Sequence, residues 1–531
     1  MSIRNCLLAS IILLQIAPLL AEVRTDGSLN NGERTIVLKD ETNTFVIDDE
    51  MGQASGDNLF HSFETFNLSS GENARFTTTA GENTASIAYN NVVARVTGNE
   101  LSLINGRLSS DINGANLWFI NPNGIVFGSG SSIQVQGSFF ASTASRVLFA
   151  DESLWSTQDV LDSDLPVVDP VGFKFSNSDT PKSIVFSGSE LRSQSGNDLN
   201  FVGGDLFFKD AELSAIGGHV HIAALKGEGE IRFSDAGMST SDSRYGLVSL
   251  DNSKITNFNS SLVTGNSAND DAQAIYIRAG RLLAVNESEI STHADAAGVA
   301  NNIQIRADSI RLSDSIVSGF NAQGSTTNYG GDISLSGDAV EIVDGSEIRT
   351  RKQGNIIIES EGNIELSHSQ IQTSAFASEN EGKISITAEK AISRNSTVIQ
   401  AGVDSSKVNI QEFEPVKLPA ETPIDVNPGD TQFEAPIEFK NAELQIERIE
   451  SEKVPLSESM AMKVGSRECD VANKGRESLY VTGGKPMVQN PNHYLGGDID
   501  MFALLGAIEN NQQQSLKLPK RQGMQYGDGC V

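Results

Sequence analysis

This 531-residue sequence has little positive charge and few aromatic rings. Arginine and lysine together number 39 against 69 aspartates and glutamates, a formal net charge of -30, and aromatic residues make up 6%. So acidic a surface repels phosphate backbones and anionic lipid headgroups, which argues against nucleic-acid and membrane-surface partners. With 48 glycines, the composition favours many short strands joined by frequent turns over a helical protein.

Long hydrophobic runs are also missing, except for one at the N-terminus. Leu7–Leu20 is an apolar stretch of fourteen residues that follows the positively charged Arg4. It is too short to span a bilayer comfortably, and the small residue Ala21 before Glu22 fits a cleavage site. We therefore predict a signal peptide over residues 1–21 and an exported, soluble mature protein. A buried N-terminal helix is the alternative.

Cysteine is scarce. The chain has three, and removal of the signal peptide would take away Cys6 and leave Cys469 and Cys530. Neither stands in a Cys-x-x-Cys motif or near a histidine cluster, so metal binding and redox catalysis are poorly supported. In an oxidising compartment an even pair predicts a disulfide, and two free thiols are the alternative.

Motifs of catalysis and ligand binding are absent as well. The sequence has no Gly-x-Ser-x-Gly, no phosphate-binding loop, no calcium-binding nonapeptide repeat and no zinc spacing. Of six histidines, only His219 and His221 stand two residues apart, on one face of a strand. A metal would need further ligands there. We therefore predict that this pair faces solvent, and that the protein has no metal, no cofactor and no catalytic site.

A repeat is what the sequence does contain. Five segments share an apolar-x-apolar pair, a short polar turn, a second apolar pair, a Ser or Asp corner and a final isoleucine. They are AIYIRAGRLLAVNESEIST from Ala274, NIQIRADSIRLSDSIVS from Asn302, DISLSGDAVEIVDGSEIRT from Asp332, NIIIESEGNIELSHSQIQT from Asn355 and KISITAEKAISRNSTVIQ from Lys383. Their first isoleucines are Ile275, Ile303, Ile333, Ile356 and Ile384, in steps of 28, 30, 23 and 28 residues.

This pattern predicts the architecture. Alternation at every second residue indicates short strands with one buried face, and a unit this short must stack on its neighbours to bury that face. We predict an all-β protein, a right-handed parallel β-helix with three short strands per turn, an N-terminal cap and an irregular C-terminal extension. The handedness rests on the general crossover preference. An antiparallel β-sandwich array is the alternative.

The same alternation of apolar and polar residues continues upstream of Ala274 with less regularity. It predicts one solenoid from about residue 30 to about residue 405. We divide it into an N-terminal domain over residues 22–150 and repeats over 151–405. Residues 406–460 are rich in proline and acids and are predicted to be a linker. Residues 461–531 would form a small C-terminal element that holds the cysteine pair.

One short motif stands out in the N-terminal domain, the string Asn121-Pro122-Asn123-Gly124-Ile125 within ANLWFINPNGIVFG. Pro122 presets φ for the second position of a type I turn, Asn123 tolerates the third, and Gly124 takes the open conformation after it. The flanking apolar runs, 117–120 and 125–127, are predicted to be strands. Whether Asn121 and Asn123 hold this turn or contact a partner stays open, and we favour the turn.

The N-terminal strings resemble a known family. The resemblance is to the haemagglutination-activity domain of two-partner secretion exoproteins, a family of proteins similar to filamentous haemagglutinin. Three strings occur in the order found in that domain: NLFHSFETFNL, the NPNGI motif followed by VFG, and GSFFASTA. VGFKF from Val171 and RECDVANKGRESLYVTGGKPMVQNPNHYL near the C-terminus are similar to short members of the family. The NPNL motif of the large adhesins is missing, and the nearest string is Phe66-Asn67-Leu68.

The resemblance implies export by a dedicated partner in a Gram-negative cell. The Sec machinery would carry the chain into the periplasm, and POTRA domains of a TpsB-type outer-membrane β-barrel transporter would recognise its N-terminal domain. The mature protein would then be secreted or attached to the cell surface as an adhesin or structural protein with an unknown extracellular ligand. A secreted carbohydrate-active β-helix enzyme and a haemolysin-type toxin are the alternatives.

Overall fold

The computed structural model describes residues 22–29, 32–79, 89–158, 165–176, 180–234, 237–241, 244–259, 274–294, 300–321, 330–351, 354–374, 382–401, 408–412, 478–481 and 524–527. The chain divides into two compact units, Met1–Pro436 and Ile437–Val531. Ala21, Cys469 and Cys530 lie outside the described residues, so the cleavage site and the disulfide stay predictions. In the described part, no helix has the length and apolar character needed to cross a membrane.

The first unit is built mainly from short strands, and its described part includes a 3-10 turn at Asp49–Met51. Its first half contains β1 (Val23–Thr25), β2 (Thr44–Ile47), β3 (Gln53–Ser55), β4 (Asn58–Phe66), β5 (Asn73–Phe76), β6 (Asn91–Val96), β7 (Ser102–Ile104), β8 (Arg107–Ser110), β9 (Asn116–Ile120), β10 (Ile125–Phe127), β11 (Ser132–Val135), β12 (Phe139–Ser142), β13 (Arg146–Phe149), β14 (Leu154–Ser156), β15 (Pro170–Phe175), β16 (Ile184–Ser187), β17 (Glu190–Arg192), β18 (Leu199–Gly203), β19 (Leu206–Lys209) and β20 (Glu212–Ile216).

The remaining strands are β21 (Val220–Ala224), β22 (Gly229–Ser234), β23 (Gly237–Thr240), β24 (Leu247–Asp251), β25 (Lys254–Asn259), β26 (Ile275–Val285), β27 (Ser288–Ala294), β28 (Ile303–Ser313), β29 (Ser315–Asn321), β30 (Ile333–Val343), β31 (Glu347–Arg351), β32 (Ile356–Ser367), β33 (Gln370–Ser374), β34 (Ile384–Ala388), β35 (Ala391–Asn395), β36 (Val398–Ala401), β37 (Val408–Glu412), β38 (Ser478–Val481) and β39 (Met524–Gly527). Among them, β26, β28, β30 and β32 are longer, because each of them joins two strand segments of one coil in a single continuous strand. In the second unit, β38 and β39 pair antiparallel.

The five anchor isoleucines form one column through the later coils. Ile275 pairs with Ile303, Ile303 with Ile333, Ile333 with Ile356 and Ile356 with Ile384, always in parallel register. The 28-, 30- and 23-residue steps therefore all bring the next coil back to the same place, because the differences in length fall in the connections. The predicted all-β parallel β-helix is confirmed. It continues past residue 405, since β37 pairs with β34.

Each coil has the three strand segments that the pattern predicts. The two halves of β32 pair separately with β34 and β35, and β33 pairs with β36 in a different sheet. A buried serine follows the second segment in five successive coils, at Ser253, Ser288, Ser315, Ser346 and Ser369. Just before them, residues such as Asn252, Asp314 and Asp344 adopt φ near +50°, a conformation that Asn and Asp tolerate better than most residues. The predicted Ser or Asp corner is therefore a left-handed bend followed by a buried serine.

The N-terminal end of the solenoid is capped by antiparallel strands. β1 pairs with the end of β4 and β3 with its beginning, so both cover the exposed edge of the first coil strand. An open sheet edge invites pairing with other chains, and covering it protects the solenoid. The predicted N-terminal cap is thus present.

The solenoid interior is aliphatic in the later coils and aromatic in the earlier ones. Phe127, Phe186 and Phe208 occupy one column, with ring centroids 5.3 Å apart between the first two and 4.3 Å between the last two. All three side chains are at most 1% exposed. Stacked rings of this kind bury a large apolar area and favour one register between coils.

A second core lies outside the solenoid, and the repeat pattern did not predict it. Residues 146–156, 170–175, 229–234 and 237–240 leave the coils and form an antiparallel sheet in the order β14-β13-β15-β22-β23. This sheet covers outward-facing side chains of the coils. The buried members of the second core are Phe60, Val93, Trp118, Ile120, Phe140, Ala144, Val147, Phe149, Trp155, Phe173, Phe175, Val202, Ala223, Leu225 and Ile231.

Candidate functional site

The NPNG motif forms the corner between the first and second strand segments of one coil. The Gly124 N–H donates to the Asn121 carbonyl at 3.2 Å, and Gly124 has φ +116°, so the predicted turn is present. Its flanking strands β9 and β10 also lie where the sequence predicts them. They do not pair with each other: β9 lies between β6 and β12, and β10 lies between β7 and β16. The turn is therefore a solenoid corner and not a hairpin.

Asn121 is fully buried at this corner. Its Nδ2 donates to the Ser102 Oγ at 2.9 Å and to the Glu100 carbonyl at 3.1 Å, both in the preceding coil. Its backbone N–H donates to the Ser142 carbonyl of the next coil at 2.9 Å. The side chain and the backbone thus join three successive coils, which leaves Asn121 no free surface for a partner.

Asn123 and Pro122 are half-buried, and Asn123 reinforces the same contacts. Its N–H donates to the Asn121 Oδ1 at 2.9 Å, and its Nδ2 donates to the Gly98 carbonyl at 2.7 Å. Gly98 is required here, because an added Cβ would lie 2.1 Å from the Glu64 carbonyl oxygen. Ile125, the last motif residue, is buried in the interior and pairs with Ser102 on one side and Ile184 on the other.

The preceding corner, residues 98–103, is held from its other side by Asn67. The Asn67 Oδ1 accepts the Leu103 N–H at 2.8 Å, and its own N–H donates to the Glu22 carbonyl at 2.9 Å. This asparagine belongs to the Phe66-Asn67-Leu68 string that stands nearest to NPNL. Asn67 in the preceding coil and Asn121 in the following coil therefore both hydrogen-bond to the corner at residues 98–103.

We expect Asn121→Ala to destabilise the purified mature protein by about 1–3 kcal/mol, since buried hydrogen-bonding groups would lose their partners. Asn123→Ala should cost less, about 1 kcal/mol, because its side chain is only half-buried. Urea unfolding followed by circular dichroism measures both. An Asn121→Ala protein as stable as the parent would contradict a turn-holding role.

A ladder of polar side chains along the start of the first strand segment was missed from the sequence. The Asn91 Nδ2 donates to the Asn58 Oδ1 at 3.0 Å, and the Asn116 Nδ2 donates to the Asn91 Oδ1 at 3.1 Å. The Asn91 Nδ2 also donates to the Asp169 Oδ1 at 2.9 Å, which ties the ladder to the loop before β15. The available signal was an asparagine at the first residue of three strands in successive coils.

The prediction that the histidine pair faces solvent is wrong for His221. His221 is 1% exposed, because Tyr276 in β26 and Phe233 in β22 lie 5.1 Å and 5.5 Å from its ring. Its Nδ1 bonds the Asn200 Oδ1 at 2.7 Å, while the half-buried His219 bonds the Asp198 Oδ1 at 3.2 Å. Burial lowers the pKa of His221 to about 3. Among the described residues, no group of three or more His, Cys, Asp or Glu side chains is arranged to hold a metal.

His61, in the first coil strand, is a second buried imidazole. It is 0% exposed, and in the described part of the chain neither ring nitrogen has a hydrogen-bond partner. Burial lowers its pKa to about 3, with Asp49 opposing the shift. The neutral ring packs against Phe63 and Phe76, at centroid distances of 6.1 Å and 5.3 Å.

The buried His61 predicts a pH dependence of stability. In the unfolded chain, His61 binds a proton below about pH 6.5, whereas in the folded chain it does so only near pH 3. Because the unfolded chain binds the proton more readily, the stability that is present above pH 6.5 is lost as the pH falls from 6.5 towards 3. At pH 4.5 the loss is about 2–3 kcal/mol. His61→Leu should remove this component, measured as the difference in unfolding free energy between pH 7 and pH 4.5. An unchanged difference in the variant would contradict the assignment.

Comparison with known proteins adds the following. The sequence model of the family described as TPS secretion domain matches residues 21–282. Among solved structures, the crystal structure of the HMW1 secretion domain from Haemophilus influenzae is similar, with 17% identity and a TM-score of 0.44 over 68% of this chain and 94% of that chain. No curated protein is similar enough to count as a match.

Proposed function

We propose that POTRA domains of a TpsB transporter recognise this protein in the periplasm. Residues 21–282 belong to the TPS secretion domain family. Members of that family leave the cell through a TpsB transporter. The Sec machinery would deliver the chain to the periplasm under the direction of residues 1–21. We propose further that the exported protein acts as an adhesin or structural protein. It would be secreted or attached to the cell surface.

The observation that carries this proposal is the continuity of the solenoid across the end of the matched region. β26 spans residue 282, where the family match ends. Its first half pairs with β21 and its second half with β24, and the whole strand pairs onward with β28. The matched region is therefore the first part of one β-helix, whose described strands continue to pair in parallel from β26 to β37.

This continuity supports folding that follows export. Each new coil buries its inward apolar residues on the coil before it, as Ile303 and Ile305 do on Ile275 and Ile277. Burial of apolar surface is favourable by about 25 cal/mol per Å². Coils that fold in sequence outside the cell would oppose backward movement of the chain through the transporter.

The outward face of the later coils supports a role in surface contact. Alternate residues of β28 and β32 are exposed and charged: Arg306, Asp308, Glu359, Glu361 and Glu365. Among the described residues these side chains are exposed on a parallel sheet, unlike the corresponding face of the earlier coils, which the antiparallel sheet covers. A flat polar face of this kind suits an adhesive or structural protein that contacts other surfaces over an extended area.

Deletion of the gene for the partner transporter tests the export proposal. We expect the mature chain to disappear from the medium and the cell surface, while another exported protein is unaffected and the transporter gene in trans restores export. Unchanged secretion in the deletion strain would refute the proposal. For the mature role, cells that lack this chain should attach to a surface less than complemented cells, and equal attachment would argue against adhesion.

A further inference from the structure

Three parts of the chain that are distant in sequence meet at one buried arginine, Arg95. This residue lies in β6 on the outward side of the coil, yet it is 0% exposed. The antiparallel sheet covers it through β14, and the N-terminal segment 22–29 covers it through Ser28. A guanidinium completely removed from water is costly unless its donors are satisfied and its charge is compensated.

The donors of Arg95 are divided among these parts. Its Nε donates to the Ser62 Oγ in β4 at 2.8 Å, and its Nη2 donates to the Ser28 Oγ at 3.1 Å. Its Nη1 donates to the Ser156 carbonyl at the end of β14. The Cζ atom lies 4.2 Å from the centre of the Trp155 ring, which adds a cation–π contact from the same strand. No single segment therefore satisfies the guanidinium alone.

The compensating charge comes from the N-terminal segment through intermediate hydroxyls. Within the described residues, no carboxylate lies close enough to Arg95 for a direct salt bridge. The Asp26 Oδ2 instead accepts from the Ser62 Oγ at 2.7 Å and from the Thr97 Oγ1 at 2.6 Å, beside the guanidinium. Burial lowers the pKa of Arg95 to about 10 and Asp26 opposes the shift, so the charge remains at neutral pH.

We propose that Arg95 couples the docking of segment 22–29 to the docking of β14, so that neither stays fully ordered when the other is released. If segment 22–29 leaves, Arg95 loses Ser28 and the nearby Asp26, and the contacts to Trp155 and Ser156 then enclose a charge that lacks its counterion. If β14 leaves, water reaches Arg95 and competes with Ser28. Such coupling is reciprocal by thermodynamic necessity.

The coupling gives the N-terminal segment an influence on the antiparallel sheet. Segment 22–29 directly follows the predicted signal peptide, so a partner that captured it would also loosen β14 and expose the second core. The idea that this partner is the transporter rests on the proposed function. The coupling itself is a property of the isolated mature chain.

Amide hydrogen exchange of the purified mature protein tests the coupling, read by mass spectrometry on peptides that cover residues 22–29 and 153–158. Ser28→Ala removes one contact to Arg95 without touching β14, and we expect it to speed exchange in 153–158 about tenfold. Trp155→Phe should speed exchange in 22–29 by a similar factor. Exchange in β18–β20, residues 199–216, serves as the internal control and should not change in either variant.

A double variant separates coupling from general loosening. In the Arg95→Met background, Ser28→Ala should no longer alter exchange in 153–158, because the side chain that connects the two segments is gone. Should Arg95→Met fail to fold, the two reciprocal single variants still decide the question. The coupling is refuted if Ser28→Ala leaves exchange in 153–158 at the parental rate. Hydrogen exchange of the purified protein does not depend on export. A negative result in the transporter-deletion experiment would therefore leave the test of the coupling unaffected.

Discussion

Replacement of Trp118 by alanine is expected to cost about 3–5 kcal/mol and to release the antiparallel sheet from the coils that it covers. The Trp118 ring is 2% exposed and stacks on Phe140 with the centroids 3.8 Å apart and the planes 2° from parallel. It also packs against Phe173 in β15 at 5.3 Å. Removal of the ring therefore takes away its contacts to Phe173 in β15 and Phe233 in β22 of the sheet, together with its stack on Phe140.

The second tryptophan of the chain reports this result directly. The sequence contains only two tryptophans, and Trp155 lies in β14 of the antiparallel sheet. In Trp118→Ala, we expect Trp155 fluorescence to change at a lower urea concentration than the circular dichroism of the coils. Phe258→Ala is a suitable control, since this aromatic ring is 38% exposed. If the two signals change together at the parental midpoint, the sheet does not depend on Trp118.

Phe186→Ala is expected to be as costly, about 3–5 kcal/mol, but to act on the solenoid interior. Phe186 is 0% exposed and lies between Phe127 and Phe208 in the aromatic column. The ring of Phe201 also meets it edge-on at 5.0 Å. Alanine would leave a cavity between three coils, and the rigid stacking of strands above and below limits how far that cavity can close.

Circular dichroism and hydrogen exchange distinguish this effect from that of Trp118→Ala. In Phe186→Ala, the midpoint of the β-sheet signal should fall, and exchange should rise in β10, β16 and β19, which carry the three stacked rings. Phe258→Ala again provides the comparison for loss of a ring at a partly exposed site. A parental midpoint in Phe186→Ala would show that the aromatic column contributes little to the stability of these coils.

The solenoid could be predicted because its information is local. Within each repeat, the alternation of apolar and polar residues identifies the side chains that face the interior. The five anchor isoleucines pair in the structure as they align in the sequence. The serine corners follow for the same reason, because a left-handed bend and a buried serine belong to one short segment. Unequal spacing did not disturb the prediction, since the additional residues lie between strands.

The NPNG corner was predictable as a turn but not as a junction between coils. Pro122, Asn123 and Gly124 determine its backbone with residues that are adjacent in sequence. That Asn121 reaches back to Ser102, and that Asn67 holds the same corner from the other side, depends on which coil lies next to which. Position in the sequence does not supply these neighbours.

By itself, the sequence determined which side chains point into the solenoid, because the period of a strand assigns them to one face. It did not determine what happens to the side chains on the opposite face. Trp118 and His221 alternate outward like exposed residues, yet both are buried, because the antiparallel sheet of β13, β14, β15, β22 and β23 folds back over them. Alternation specifies the direction of a side chain, while burial also depends on whether a distant segment arrives to cover it. Only the tertiary structure decided that.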